Sequence, residues 1–176
     1  MKLYVEADVD PKALGDGRIA VIGYGSQGRA HALNLRDSGH DVVVGLRPDG
    51  KTAVRAKADG FDVRSPADAA KGATLVAMLT PDMSHQALFE QIEKNLSAKA
   101  TLLFAHGFSI HYRRVQPAKS IDVVLVAPKG PGDLVRRQYE AGQGVPCLLA
   151  VANDATGRAQ ARALAYAHAI GGTRSG

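Results

Sequence analysis

The sequence predicts a doubly wound α/β domain, in which helices cover both faces of a mostly parallel sheet. Short apolar runs of strand length alternate with helix-patterned segments along the chain. Within these runs valine, isoleucine, leucine and alanine occupy successive positions rather than every second one. A strand buried on both faces needs this continuous apolar character, and strands that alternate with helices build a parallel sheet.

The predicted strands are the apolar runs at residues 18–22, 41–45, 61–63, 74–79, 101–105, 122–127 and 146–152. The predicted helices lie at 26–38, 51–58, 84–96 and 154–169, and a further short helix opens at Ser65-Pro66. Asp154 is a residue type that caps helix N-termini, so it marks the start of the last helix. Arg136 and Arg137 are expected on a solvated helix face, and residues 1–17 are expected to form an arm or edge element.

Length and composition favour a single domain over residues 1–176, large enough to bury its own core. No apolar run approaches the roughly 20 residues of a membrane-spanning helix, and the first residues are acidic where a signal peptide would be apolar. The single cysteine, Cys147, cannot form an internal disulfide. We therefore expect a cytoplasmic protein with no membrane partner.

The formal net charge of +5 suits either a nucleic acid or a small polyanionic ligand. The basic residues are scattered, aromatic residues make up 5% of the chain, and tryptophan is absent. Without stacking side chains a nucleic-acid partner is not expected. A solvated basic surface is the simpler explanation for most of the charge.

The most informative motif is Gly23-Tyr24-Gly25-Ser26-Gln27-Gly28, which stands between an apolar strand and a helix. In this context the first glycine permits a tight turn, the second lets the backbone approach a pyrophosphate, and the third lets the helix pack closely on the strand. The helix N-terminus then offers free N–H groups to the phosphates. The motif predicts a Rossmann-type dinucleotide site; the alternative is a tight turn that holds no ligand.

The residues after the second strand favour NADP over NAD. An acidic residue at this place would accept the ribose 2′-hydroxyl of NAD, whereas an arginine accommodates the 2′-phosphate of NADP. Arg47 comes first after the strand, and Lys51 and Thr52 add a charge and a hydroxyl. Asp49 is the opposing observation, because its carboxylate would repel a 2′-phosphate unless it only turns the chain before Gly50.

Three further loops follow strands at the edge of the sheet where open α/β domains bind ligands. The loop at 79–84 is placed to pass beside the nicotinamide or its ribose. His106 follows the next strand, so its imidazole could exchange a proton with a ligand oxygen, or it could only cap local backbone groups. Lys129, in the loop at 127–132, could neutralise an anionic substrate or lie free on the surface.

The glycine motif and several longer motifs resemble the ketol-acid reductoisomerases, over essentially the whole chain. The resemblance is carried by Ile22-Gly23-Tyr24-Gly25-Ser26-Gln27-Gly28, Phe104-Ala105-His106-Gly107-Phe108 and Val126-Ala127-Pro128-Lys129-Gly130-Pro131-Gly132, and by residues 30–35, 37–39, 43–47, 134–137 and 171–174. It implies an enzyme of branched-chain amino-acid biosynthesis that converts a 2-acetyl-2-hydroxy acid to a 2,3-dihydroxy acid. In this family Mg²⁺ assists an alkyl migration as a Lewis acid, and NADPH then delivers hydride to the resulting ketone.

The same resemblance assigns His106 as the catalytic histidine. It assigns cofactor contacts to the turn Gly23, Tyr24, Gly25, Ser26, Gln27 and Gly28, to the 2′-phosphate residues Arg47, Gly50 and Thr52, and to Asp82, Met83, Ser84, His85 and Gly132. Gly50 replaces a usual hydroxyl residue, and His85 replaces a usual glutamine. Together with Asp49, these departures leave the use of NADH open.

The resemblance further implies a second, all-helical domain that carries the Mg²⁺-binding carboxylates and much of the contact within a homo-oligomer. No metal ligand is assigned within residues 1–176, so we expect the isolated chain to bind cofactor without reductoisomerase activity. Two alternatives stay open on fold alone. One is a fragment of a 3-hydroxy acid dehydrogenase, and the other is a non-enzymatic module that senses NADP or pairs with a separate helical chain.

Overall fold

The computed structural model describes residues 2–175; Met1 and Gly176, the end points of the predicted domain, lie outside the described residues. The strands are β1 Ile19–Ile22, β2 Val42–Gly45, β3 Asp62–Arg64, β4 Leu75–Met78, β5 Thr101–Phe104, β6 Asp122–Pro128 and β7 Cys147–Asn153. They form one sheet in the order β3-β2-β1-β4-β5-β6-β7. The pairs from β1 to β6 are parallel, and β7 is antiparallel to β6.

The helices cover both faces of this sheet, which confirms the doubly wound α/β prediction. They are α1 Ser26–Asp37, α2 Lys51–Ala58, α3 Pro66–Ala70, α4 His85–Ile92, α5 Phe108–His111, α6 Gly132–Glu140 and α7 Ala159–Ala169. Side chains of α1, α2 and α7 build the core on one face, and side chains of α3 and α4 build it on the other. Within residues 2–175, no helix is both long enough and apolar enough to cross a membrane.

Four of the five inner strands, β1, β2, β4 and β5, are buried at every position, as their continuous apolar sequences require. Their side chains alternate between the two cores: Ile19 and Val21 pack on one face, and Ala20 and Ile22 on the other. Burying one isoleucine or valine side chain contributes about 1.5–3 kcal/mol. The strand order reverses between β1 and β4, and this reversal opens a crevice at the carboxyl ends of the strands.

The last helix begins at Ala159, so the predicted start at Asp154 is wrong. Gly157, with a φ of +73°, interrupts the helical path before that point. The Thr156 backbone N–H and hydroxyl both donate to the carboxylate of Asp122, which holds the segment as a loop. Asp154 still acts on the helix end, because its carboxylate accepts from the Ala159 N–H at 3.0 Å.

The residues before β1 form an arm that lies against α7. Its two 3-10 turns span Glu6–Asp8 and Pro11–Leu14, and the second turn packs on α7 with Ala13 and Leu14 buried. The Gln160 amide of α7 also donates to the Tyr4 hydroxyl at 2.6 Å. The start of the described chain and its last helix therefore share one core.

The strand β7 forms an edge of the sheet and stays largely exposed, although its sequence is as apolar as that of the inner strands. Leu148 and Val151 are among the exposed large apolar side chains of the molecule. The segment after α6 brings the chain back to the carboxyl end of β6, where the Lys129 N–H donates to the Pro146 carbonyl at 2.9 Å, so β7 starts there and runs antiparallel to β6.

Candidate functional site

A cleft with a volume of about 650 Å³ lies at the carboxyl ends of β1, β2 and β4, where the strand order reverses. Its walls are the turn after β1, the loop after β2, the loop after β4 and one face of α4. Seven of the predicted cofactor residues line it: Gly23, Tyr24, Gly25, Arg47, Gly50, Thr52 and Ser84. The structure therefore brings the glycine turn and the predicted 2′-phosphate loop to one site.

The three glycines of the turn after β1 differ in what surrounds them. Gly23 has a φ of +105°, and a Cβ there would lie 2.6 Å from the Leu79 carbonyl oxygen. A Cβ on Gly28 would overlap the carbonyl oxygen of Gly23. A Cβ on Gly25 would meet nothing within 4 Å. Folding therefore explains the first and third glycines, whereas the open space at Gly25 is free for a ligand.

The N-terminus of α1 adds a second feature that suits an anion. Gly25 is its N-cap residue and offers no side chain to the first N–H groups of the helix. These groups and the helix dipole carry a partial positive charge at the glycine turn. A helix end of this kind, next to a glycine that leaves room for close approach, can bind a pyrophosphate.

The loop after β6 packs on the same end of α1. The Gln27 side-chain amide donates to the Gly130 carbonyl at 2.8 Å. A Cβ on Gly132 would overlap the Ser26 carbonyl oxygen. Gln27 and Gly132 are both predicted to contact the cofactor. In the structure, the Gln27 side chain and the absence of a side chain at Gly132 let α1 pack against the loop after β6.

The loop between β2 and α2 presents an exposed arginine beside a second helix N-terminus. Arg47 is exposed and forms no ion pair among residues 2–175. Gly50 is the N-cap of α2 and provides no side-chain cap, and Thr52 lies in the first turn. Asp49 is exposed as well and lies beyond ion-pair distance of Arg47. An anion here would meet a guanidinium, a hydroxyl and free N–H groups, with one carboxylate nearby.

His106 lies just past β5 and is exposed, with 70% of its side chain accessible. Its Nδ1 is 3.2 Å from the Asp82 carboxylate and 3.3 Å from the Phe108 N–H, so the two partners require opposite states of this nitrogen. A protonated Nδ1 donates to Asp82, and an unprotonated Nδ1 accepts from Phe108. Either way the ring is held at Nδ1, and Nε2 remains for a proton exchange with a ligand.

The side chain of His85, another residue predicted to contact the cofactor, is buried behind the cleft wall. Its side chain is 2% exposed and does not line the cleft. Its Nε2 donates to the Thr80 carbonyl at 2.9 Å, and its Nδ1 lies 2.8 Å from the Ser109 hydroxyl. Burial lowers the pKa of His85, so the ring is neutral and joins the loop after β4 to α5.

Within the same loop, Asp82 and Met83 flank the cleft but do not line it. Both belong to the 3-10 turn Asp82–Ser84, and Met83 is strongly exposed. Asp82 faces two histidines, since its other carboxylate oxygen is 3.7 Å from His85 Nδ1. The turn therefore carries a carboxylate between the buried His85 and the exposed His106.

Two basic residues outside the cleft, Lys129 and Arg136, have different surroundings. Lys129 lines a separate, largely apolar cavity of about 330 Å³ beside β7, with Cys147 and Thr173. Arg136 is 16% exposed and bonds to Asp37, Glu140 and Asn34, so its prediction on a solvated face is wrong. It fastens α6 to α1.

The donor groups that a metal ion would need do not come together in this part of the molecule. Within residues 2–175, no three His, Cys, Asp or Glu side chains cluster closely enough to hold an ion. The residues described here therefore do not fit a Mg²⁺ site by themselves.

Residues 13–176 match the family described as "Acetohydroxy acid isomeroreductase, NADPH-binding domain". A ketol-acid reductoisomerase (NADP(+)) of Xylella fastidiosa is 59% identical over 159 residues, which are 90% of this chain and 45% of that protein. The enzyme of the same name from Xanthomonas campestris is 60% identical over 158 residues, 89% of this chain and 47% of that protein. The chain thus spans about half the length of these curated relatives.

Solved structures show the same likeness. The structure of an NADH-preferring ketol-acid reductoisomerase from an uncultured archean matches with a TM-score of 0.96 and 41% identity, covering 100% of this chain and 55% of that one. A 3-hydroxyisobutyrate dehydrogenase of Mycobacterium tuberculosis matches with a TM-score of 0.60 at 15% identity, over 86% of this chain and 57% of that one. The second likeness concerns the fold alone.

Proposed function

The chain belongs to the ketol-acid reductoisomerase family, as its NADPH-binding domain, and from this we propose that the cleft at β1, β2 and β4 binds the adenosine and pyrophosphate of the cofactor. The observation that carries the proposal is Gly25. A Cβ at this position would meet no protein atom within 4 Å, so packing does not require a glycine here. The open space lies at the N-terminus of a twelve-residue helix. A pyrophosphate is the group that such an arrangement accepts.

The remaining predicted residues divide by what they offer. Gly23, Tyr24, Ser26, Gln27 and Gly28 supply the backbone that shapes the pyrophosphate turn. Arg47, Gly50 and Thr52 receive the 2′-phosphate at the start of α2. The last group lies between the cleft and His106 and contacts the cofactor through backbone atoms: Asp82, Met83, Ser84, His85 and Gly132. Of these, Ser84 also lines the cleft wall.

For the complete enzyme we propose the family's reaction, the conversion of a 2-acetyl-2-hydroxy acid to a 2,3-dihydroxy acid. His106 is the residue of this chain that exchanges a proton with a substrate oxygen, through the Nε2 that its Nδ1 contacts leave free. The Mg²⁺ of the family would act as a Lewis acid on carboxylate ligands supplied by a further helical domain. Homo-oligomer formation and a cytoplasmic location are part of the same proposal.

The proposal is tested by changing Gly25 to alanine. A Cβ at this position meets no protein atom, and the φ of −72° suits any residue. Two opposing effects should keep the melting temperature within a few degrees of wild type: alanine restricts the unfolded chain, but it is a poorer N-cap residue than glycine. The methyl group would stand where the pyrophosphate approaches, so the Kd for NADPH and NADH, measured by isothermal titration calorimetry, should rise by roughly ten-fold or more.

Gly23→Ala is the matched control, because its Cβ would collide with the Leu79 carbonyl and its backbone has a positive φ. That variant should lose stability in the same thermal melt. Unchanged dinucleotide binding by Gly25→Ala would show that the pyrophosphate does not lie at this turn.

A further inference from the structure

One carboxylate joins three parts of the cofactor cleft. Asp59 is the residue at the C-terminal end of α2. Its Oδ2 accepts from the Tyr24 hydroxyl at 2.8 Å and from Arg29 Nε at 2.8 Å, and its Oδ1 accepts from Arg29 Nη2 at 3.2 Å. The Arg36 guanidinium donates to the Asp59 backbone carbonyl at 2.7 Å. These contacts hold Asp59 from both its side chain and its backbone.

The positions of these partners connect Asp59 to the proposed cofactor site. Tyr24 stands between Gly23 and Gly25 in the pyrophosphate turn. Arg29 lies in the first turns of α1, whose N-terminus faces the cleft. The opposite end of α2 carries Gly50 and Thr52. The carboxylate of Asp59 is therefore the point at which the turn, α1 and α2 are fastened together.

The burial and charge of the group favour a firm contact. The Tyr24 side chain is buried, whereas Arg29 and Asp59 keep 29% and 21% of their side chains exposed. Burial raises the pKa of Tyr24, and its hydrogen bond to Asp59 raises it further. The paired hydrogen bonds from Arg29 lower the pKa of Asp59, which is therefore ionised. A charged, two-point bond of this kind is among the stronger ones in proteins.

Packing alone does not explain the hydroxyl of Tyr24. The ring meets Phe61 edge to face at 5.8 Å between centroids, and a phenylalanine at position 24 could make the same contact. The hydroxyl adds a buried polar group that needs a partner, and Asp59 is that partner. Because the hydroxyl points to Asp59, Tyr24 can serve the cofactor only through its backbone and ring.

We propose that Asp59 is a positioning residue for dinucleotide binding, which holds the turn at Tyr24 and the start of α1 in the geometry that accepts the pyrophosphate. This inference rests on the proposed function of the cleft. It concerns the pyrophosphate specifically, since the contacts of Asp59 reach the turn and α1 rather than the side chains that face the 2′-phosphate.

The test compares ligands that contain a pyrophosphate with one that lacks it. In Asp59→Asn the Kd for NADPH and for 2′-phospho-ADP-ribose should rise by about ten-fold, the loss expected from weakening one charged hydrogen-bonded pair. The affinity for adenosine 2′-monophosphate, followed by NMR titration, should stay within about two-fold. Amide hydrogen exchange should become faster over residues 23–29.

Two further variants make the result decisive. Tyr24→Phe keeps the buried ring and removes one hydrogen bond, so it should fold and show a smaller loss for the same two ligands. Asp62→Asn breaks another Arg–Asp pair, with Arg64 at 2.7 Å on the edge strand β3, and should bind as wild type does.

Unchanged NADPH affinity in both Asp59→Asn and Tyr24→Phe would overturn the inference. An equal loss for adenosine 2′-monophosphate would also overturn it, since that result means general loosening of the domain. Failure of the wild-type chain to bind any dinucleotide would instead refute the proposed function of the cleft, and the inference with it.

Discussion

His31 is fully buried in α1, the helix that follows the glycine turn. Its Nδ1 lies 3.0 Å from the Tyr166 hydroxyl of α7, and its Nε2 has no hydrogen-bond partner among the described residues. Burial lowers the pKa of His31 to about 4. A proton on this ring would be a charge without solvent or counter-ion, so the folded protein keeps it neutral.

This burial predicts a loss of stability in mild acid. The folded pKa is about 4, and the unfolded value is near 6.5, so the unfolded chain binds the extra proton as the pH falls below about 6.5. Stability from His31 is complete above that pH and falls by roughly 3 kcal/mol by pH 4. Urea unfolding at a series of pH values measures it. His31→Gln should be less stable at neutral pH but lose less on acidification; an equally steep loss would contradict this.

Arg47 is expected to decide the preference between the two dinucleotides. It is exposed without an ion pair in the described residues, so its charge is available to a 2′-phosphate. Arg47→Gln should weaken NADPH binding by about ten-fold or more and leave NADH binding nearly unchanged. Asp49→Ser should act in the opposite direction.

Lys57→Gln provides the matched control for calorimetry, because it removes an exposed cation from the last turn of α2, away from the cleft. If Arg47→Gln kept the wild-type ratio of NADPH to NADH affinity, the 2′-phosphate would have to bind elsewhere.

At the scale of single residues, the sequence predicts a residue's role when the residues that determine it are close along the chain. The glycine turn and Arg47 follow from their neighbours along the chain, and the structure places them in one cleft. The orientation of His85 depends on Ser109, and the importance of Asp59 depends on Tyr24 and Arg29. These partners are far apart in sequence, so no local sequence pattern predicts the contacts between them.

At the scale of elements, a carboxylate at the amino end of β6 fastens the loop before α7. Asp122 is fully buried and accepts from the Thr156 N–H, the Thr156 hydroxyl and Arg162. Arg162 also donates to the Lys99 carbonyl and the Thr101 hydroxyl. The group joins β5, β6 and α7 at the end of the sheet opposite the cleft.

Asp122→Ala should therefore cost about 3–5 kcal/mol of unfolding free energy, because it leaves Arg162 and the Thr156 groups without their partner. Asp41→Ala, which breaks the exposed pair with Arg18, should cost no more than about 1 kcal/mol. Urea denaturation measures both. NADPH affinity should not change in Asp122→Ala. A loss of stability as small as that of Asp41→Ala would show that the bonds of Asp122 to Thr156 and Arg162 contribute little.

The element boundaries illustrate the limits of local sequence patterns. The seven strands and the five predicted helices occur in the predicted order, because apolar runs and helical periodicity are local properties; α5 and the bounds of α6 are not among the predictions. The predicted start of α7 is wrong, because the Thr156 N–H bonds to Asp122, which is distant in sequence, instead of entering a helix. The predicted helix at 84–96 ends as an α-helix at Ile92 and continues only as a 3-10 turn, Glu93–Asn95.

At the scale of the whole molecule, cofactor binding and turnover should separate. The curated relatives are about twice as long as this chain, and residues 2–175 hold no cluster of metal-ligating side chains. We expect the chain of residues 1–176 to bind NADPH but not to oxidise it in the presence of acetolactate and Mg²⁺. Loss of NADPH absorbance measures this, with a full-length relative as the positive control. Turnover by the chain alone would contradict the expectation.

The topology also shows what alternation of strands and helices cannot specify. It predicts a mostly parallel sheet, and the pairs from β1 to β6 are parallel. The run that becomes β7 is equally apolar, yet it lies antiparallel at an exposed edge. Its direction follows from the return of the chain to the carboxyl end of β6 at Pro146, which apolar patterning does not encode.

The contact between the N-terminal arm and α7 has a consequence for how the chain acquires its structure during synthesis. Ala13 and Leu14 are made long before the helix that covers them, Ala159–Ala169. Loop closure over that distance is slow, and contacts of long sequence separation retard folding. We therefore expect the larger core to stay incomplete until α7 has left the ribosome, which couples its folding to the synthesis of that helix.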